Sequence, residues 1–316
     1  YYENIIWPAT NGIKLIGSGE DDCFIDGGSL ASVIRFEEDL GGIIDATTLI
    51  TGFTIQNGSA TSGGGMFLYD SSPTLTGMTF SNNTADKGGG MYLYSSSPTL
   101  TDVTFSGNRV SMYYYYSYYD SDASNSIGGG GMWLYSSSPT LTDVTFSGNS
   151  AGLGGGMYLG DSSPTLTDVT FGSNTGGWGG GMFLFTSSPT LTSVTFSGNS
   201  AGANGGGMYS NGGNVNLVNV TIVDNSATLN GGGIYCTGSP SLINTIVSNN
   251  TGNYGIYSNS NPSIAYSNFY NNENGNFYGV DQWVGVNVTT NANGDSCDVY
   301  YNIQKDPEFV EIGRAS

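Results

Sequence analysis

This 316-residue sequence has no histidine, only six lysines and arginines together, three cysteines and 10% charged residues. Each shortage excludes something. Without histidine, no side chain has an unperturbed pKa near neutrality. Proton transfer would fall to carboxylates or to Lys14, Arg35, Lys87, Arg109, Lys305 and Arg314, none of which lies between 110 and 304. A lyase acting on polyuronates needs a cation beside the substrate carboxylate and a base such as Arg or Lys, and the long middle of the chain offers neither. Cys23, Cys236 and Cys297 are too far apart for a zinc cluster or a CxxC redox pair, and their odd number leaves any pairing open. No apolar run approaches the ~18 residues of a membrane span, so bilayer insertion by this segment is not expected.

Acidic residues number 25, giving a formal charge of −19 that repels nucleic acid and anionic membranes. Glycine is abundant at 51 residues, apolar residues make up 37%, and no residue class separates two halves. The composition suits a single elongated domain over 1–316 with a thin core wrapped by many turns.

Internal repetition dominates the sequence. A GGGM-aromatic phrase recurs with Met66, Met91, Met132, Met157, Met182 and Met208, and then with Ile234 and Ile256 in the same place; the spacings are 25, 41, 25, 25, 26, 26 and 22 residues. A second phrase, SSPTLTDVTFSGN in its fullest form, follows each one and ends on Phe80, Phe105, Phe146, Phe171, Phe196, Ile222, Val247 and Phe269. Apolar residues alternate within each unit, as Met91 with Leu93 and Val103 with Phe105 do, which is the periodicity of short strands. The pattern predicts an all-β, right-handed parallel β-helix, with three short strands per coil of about 25 residues. Irregular opening coils occupy 1–49, regular repeats 50–272 and an irregular closing segment 273–316.

Leu100 and Val103 are three apart, which breaks strict alternation. The position between the second and third strands is Gly52, Gly77, Asp102, Asp143, Asp168, Ser193, Asn219 and Asn244, mostly residues that tolerate a left-handed backbone. A one-residue kink there keeps both neighbours facing inward. Asn83, Asn108, Asn149, Asn174, Asn199, Asn225, Asn250 and Asn272 follow three residues after the third strand's end, where stacked amides would hydrogen-bond along the axis.

The pairing of GGGMYLY with FSGN over about residues 50–272 resembles the repeats of chlamydial polymorphic outer-membrane proteins and of bacterial extracellular β-helix proteins. The opening YYENIIWPATNGIKLIGSGEDDCFIDGG and the closing NIQKDPEFV are similar to the ends of pectin-lyase-like β-helix proteins. The resemblance implies an extracellular or cell-surface location. It specifies a fold better than a function, since that group includes polysaccharide lyases and hydrolases.

Two surfaces stand out. The residue after each Met is aromatic, at Phe67, Tyr92, Trp133, Tyr158, Phe183, Tyr209, Tyr235 and Tyr257, with Tyr69, Tyr94, Tyr135 and Phe185 two residues later. Alternation turns these outward, either to stack on one another or to form an exposed docking face for glycan rings or another subunit. The 41-residue spacing contains an insertion at 109–127 with Tyr113, Tyr114, Tyr115, Tyr116, Tyr118 and Tyr119, a cluster expected to lie against the helix or a partner.

No cofactor is expected. The single metal candidate is calcium in the NANGDSCD stretch, through Asn293, Asp295 and Asp298, although a full EF-hand pattern is missing. A glycosidase needs facing carboxylates, and the candidates Asp102, Asp143 and Asp168 already have a backbone reason for their positions. The outward Thr-Leu-Thr columns are similar to the arrays of β-solenoid antifreeze proteins. The leading expectation is therefore a non-catalytic structural or adhesive solenoid that pairs with copies of itself, head-to-tail or laterally, or with a cell-surface glycan or protein. Its first coil starts without a lid, so head-to-tail filament assembly is part of that expectation. The alternatives are a carbohydrate-active enzyme of pectin-lyase-like type and an ice- or glycan-binding module.

Overall fold

The computed structural model describes residues 1–37, 44–111 and 127–308. Over these residues the chain winds into a right-handed parallel β-solenoid whose strands collect in three sheets of eleven, sixteen and eight strands, with one further antiparallel pair. In a representative coil, Met91–Tyr94 belongs to the first sheet, Thr99–Ser106 to the second and Arg109–Val110 to the third. Each strand pairs in parallel with its copy one coil away, so identical residues meet: Met91 lies beside Met66 on one side and Met132 on the other. The opening coils already follow this plan, with Lys14–Ile16 and Phe24–Asp26 both pairing with Leu49–Gln56. The insertion does not disturb it. Arg109 and Val110, read as part of the insertion, continue the third sheet beside Thr84 and Ala85, and the remainder of 109–127, including Tyr113, Tyr114, Tyr115, Tyr116, Tyr118 and Tyr119, lies outside the described residues apart from Ser111 and Ile127.

Strand composition differs in one respect from the sequence reading. The second and third expected strands form one sheet, and in the early coils one unbroken eight-residue strand such as Thr140–Ser147. The third sheet instead comes from segments after the Asn, such as Thr84–Lys87 and Ser150–Leu153. Their Ser, Gly and Thr content hides a strand whose single inward residue is Ala85, Val110, Ala201 or Ala227.

Met, Leu, Leu, Val and Phe fill the lumen as expected. Phe105, Phe146, Phe171 and Phe196 are fully buried and stack at 4.8 Å, the spacing between neighbouring strands. At the later coils the inner Leu column changes to Ser210, Cys236 and Ser258. Burial raises the Cys236 thiol to about 11, so it fills space as an unionised, free thiol.

The kink residues adopt the left-handed conformation from Gly52 (φ 75°) through Asp143 (φ 54°) to Asn244 (φ 53°). Two buried polar ladders run beside the core. The Asn ladder is the one read from the sequence; a serine ladder, in which Ser96 N–H donates to Ser137 Oγ at 2.9 Å and Ser137 N–H to Ser162 Oγ at 3.0 Å, was masked by the polar look of SSSP. The glycines preceding each Met have a steric cause. A Cβ on Gly155 would sit 2.4 Å from the Gly180 carbonyl oxygen, so the coils could not close with any side chain there.

Candidate functional site

The aromatic column is the most regular feature outside the lumen. The turn after Gly154 starts the first strand with Met157 inward, so Tyr158 points outward, and every coil repeats this. Phe67 stacks on Tyr92 at 5.1 Å, Tyr92 on Trp133 at 4.6 Å, Phe183 on Tyr209 at 5.0 Å and Tyr235 on Tyr257 at 5.4 Å, with planes within 6° of parallel. The Arg35 guanidinium caps one end, 4.0 Å from the Phe67 ring centroid, and Tyr278 extends the other, 4.4 Å from Tyr257.

Of the two arrangements expected for this stripe, mutual stacking or an exposed docking face, the rings stack and most of them are covered. Trp133 and Tyr158 are 0% exposed, and Phe67, Tyr92, Phe183 and Tyr209 are also buried. These rings form a second apolar cluster with Leu153, and Trp178 packs against it. Both are terminal residues of third-sheet strands just before the glycine turn, so apolar side chains flank that corner on the outside as well as within. Alternation distinguishes the two faces of a strand but does not say whether the outer face is wet; Leu153 and Trp178 were the available signal. In this column Tyr235 and Tyr257 are partly exposed and Tyr278 is exposed, and the second stripe, Tyr69, Tyr94, Tyr135 and Phe185, is half-buried.

Two of the three calcium candidates are engaged by donors of the protein. Asp298 is buried and its oxygens accept from protein groups: Oδ1 from Tyr300 N–H (2.8 Å) and Asn302 N–H (2.9 Å), Oδ2 from Gly285 N–H (2.7 Å) and the Asn302 amide (3.0 Å). Asp295 accepts from the Asn291 amide and from Lys305 Nζ, both at 3.2 Å, and these hydrogen bonds hold its pKa below the usual carboxylate range. Asn293 is exposed on the loop. The alternating oxygens organise a turn whose strands, Thr289–Thr290 and Ser296–Cys297, pair antiparallel. No cluster of three or more His, Cys, Asp or Glu that could hold a metal ion occurs among the described residues.

Asp102, Asp143 and Asp168 are exposed at successive kinks, each with φ of 54–55°. Beside the first of them lies Glu20, a half-buried carboxyl whose Oε2 has no hydrogen-bond partner. Burial first, and then the charges of Asp102 and Asp21, push its pKa above the usual value, against a hydrogen bond from Thr79. Sequence reading missed Glu20 because it stands in an irregular coil. Three basic groups are in structural contacts: Arg35 pairs with Glu37 at 2.8 Å, Lys87 lies over Trp133 at 5.3 Å, and Arg109 donates to Thr84 at 3.1 Å.

The outer face of the second sheet carries in-register columns of Thr74, Thr99, Thr140, Thr165 and Thr190, and of Thr76, Thr101, Thr142, Thr167 and Thr192. No helix among the described residues is long and apolar enough to cross a membrane. A family described as right handed beta helix region matches residues 43–217 and 94–251, well over half of the chain. No curated protein and no solved structure matches.

Proposed function

Since the chain belongs to the right-handed β-helix family, a fold that serves enzymes and non-enzymes alike, we propose that it works as a non-catalytic extracellular scaffold with a structural or adhesive role. The observation that carries this reading is repetition. The Met, Leu, Phe, Asn and Thr columns continue in register through successive coils, including across the 41-residue spacing. Of the six basic side chains, Arg35, Lys87, Arg109 and Lys305 are engaged in holding rings, hydroxyls and carboxylates in place. Antibody labelling of intact producing cells tests the location. Surface signal without permeabilisation is expected; signal only after permeabilisation contradicts the proposal.

A second reading, binding to ice or ordered water, is favoured by the threonine face. The hydroxyls of Thr99, Thr101, Thr140 and Thr142 make no hydrogen bond to any described residue and stand on a rigid lattice open to solvent. Thermal hysteresis of the purified chain, lost in a Thr101→Lys and Thr142→Lys double variant, would establish it; a freezing point equal to the melting point would remove it.

A further inference from the structure

At the far end of the solenoid the closing segment lies over the edge of the second sheet and, with residues 244–246 and 266–268, encloses an open groove of about 610 Å³. Tyr266 and Tyr301 line it with ring planes parallel and centroids 5.5 Å apart. They are 61% and 48% exposed. Asn244, Asn268, Asn291 and Asn293 line the same groove, and no described side chain lining it is charged.

Two features set this place apart from the repeats. Tyr266 occupies the kink position with φ 53°, and Tyr301, whose backbone is also left-handed at φ 63°, stacks on it from the closing segment. From Gly52 to Asn244 that position is always Gly, Asp, Ser or Asn. A left-handed backbone disfavours a side chain as bulky as tyrosine, and such conformations persist where the surroundings enforce them. Here the enforced result is a pair of rings held half in water, whereas the rings of the aromatic column are largely buried.

The second feature is unused hydrogen-bonding capacity. Asn244 donates Nδ2 to Asn219 Oδ1 at 2.7 Å and leaves its own Oδ1 without a described partner. Asn268 accepts the Lys305 N–H at 3.2 Å and leaves Nδ2. The Asn293 side-chain amide has no described partner; its backbone N–H alone is used, by Asn291 Oδ1 at 2.9 Å.

We propose that this groove binds a neutral oligosaccharide. A pyranose ring has an apolar C–H face to lie on a tyrosine and equatorial hydroxyls that both donate and accept, matching the open Nδ2 and Oδ1 groups. The lining is uncharged and the flanking Lys305 has its ammonium paired with Asp295, so in a chain of formal charge −19 a uronate carboxylate finds no unpaired counter-charge there. The site does not depend on the scaffold reading, because it lies apart from the repeated columns.

Calorimetric titration of the purified chain with cellohexaose, xylohexaose, mannohexaose and chitohexaose tests it, with hexagalacturonate as the anionic comparison. Saturable binding of at least one neutral hexaose is expected, weakened by about tenfold or more in Tyr266→Gly. Glycine suits the kink, so that variant should keep the native circular dichroism and melting temperature; if it does not fold, Asn293→Ala on the exposed loop serves instead and should weaken binding several-fold. The proposal is overturned if no neutral hexaose binds at millimolar concentration, if the folded variant binds as tightly as the native chain, or if hexagalacturonate binds more tightly than every neutral sugar.

Discussion

The side-chain amide of Asn149 donates to the amide oxygen of Asn174, one coil further along the axis, at 3.0 Å. The same Nδ2 donates to the Phe105 carbonyl at 2.9 Å, while Asn149 Oδ1 accepts both the backbone N–H and the side-chain amide of Asn108. One buried side chain thus ties together backbone and side chains from three coils. Replacing it with the nearly isosteric Asp removes both donors and places a carboxylate against two oxygens. Unfolding in urea should show Asn149→Asp less stable than the native chain by about 3 kcal/mol or more at pH 7. Part of the loss should return at pH 4, where a protonated carboxyl can donate again. Equal stability at pH 7 would mean that the ladder contributes nothing.

Phe146 lies between Phe105 and Phe171 at 4.8 Å on each side and is fully buried. Phe146→Ala leaves a cavity bounded by two rings that the backbone ladders hold apart, so the site cannot collapse. A loss of about 3–5 kcal/mol is expected in chemical denaturation. A loss below about 1 kcal/mol would contradict the packing described.

Asp143 has φ of 54° and an exposed side chain. Asp143→Gly should therefore keep or slightly raise the melting temperature, whereas Asp143→Val should lower it, because a β-branched residue is strained in the left-handed region. Equal melting of the two variants would show that the kink does not constrain the residue.

The legible part of the fold was the part where repetition and side-chain chemistry coincide. Met91, Phe105 and Asn108 recur at one spacing, and their burial follows from alternation and from the hydrogen-bonding needs of a buried amide. The third sheet was not legible because Ala85 and Ala201 are too small to create an apolar rhythm. The aromatic column was seen at the right residues but its environment stayed open between stacking and exposure, since a strand's outer face becomes dry only when Leu153 and Trp178 pack against it from another sheet. The Tyr266 and Tyr301 pair was invisible because its members are 35 positions apart in an irregular region and come together only through the returning segment.

Glu20 supplies a pH signature. Its pKa is raised mainly by burial, so the folded chain holds this proton more tightly than the unfolded one. The resulting contribution is fully present below the ordinary value of 4.5 and is lost as pH rises through the raised value. Glu20→Gln should consequently melt at a higher temperature than the native chain at pH 7, with the difference closing towards pH 4. A variant less stable at pH 7 would show that the charged form is favoured in the fold.

The proposed scaffold would act through its repeated surface and turn over no substrate. The most direct measurement incubates the purified chain with a panel of neutral and acidic polysaccharides, with and without calcium, and assays new reducing ends and unsaturated products. The account predicts none above a heat-inactivated control. Product formation that disappears in Glu20→Gln or in Asp102→Asn would contradict it and identify the chain as a carbohydrate-active enzyme.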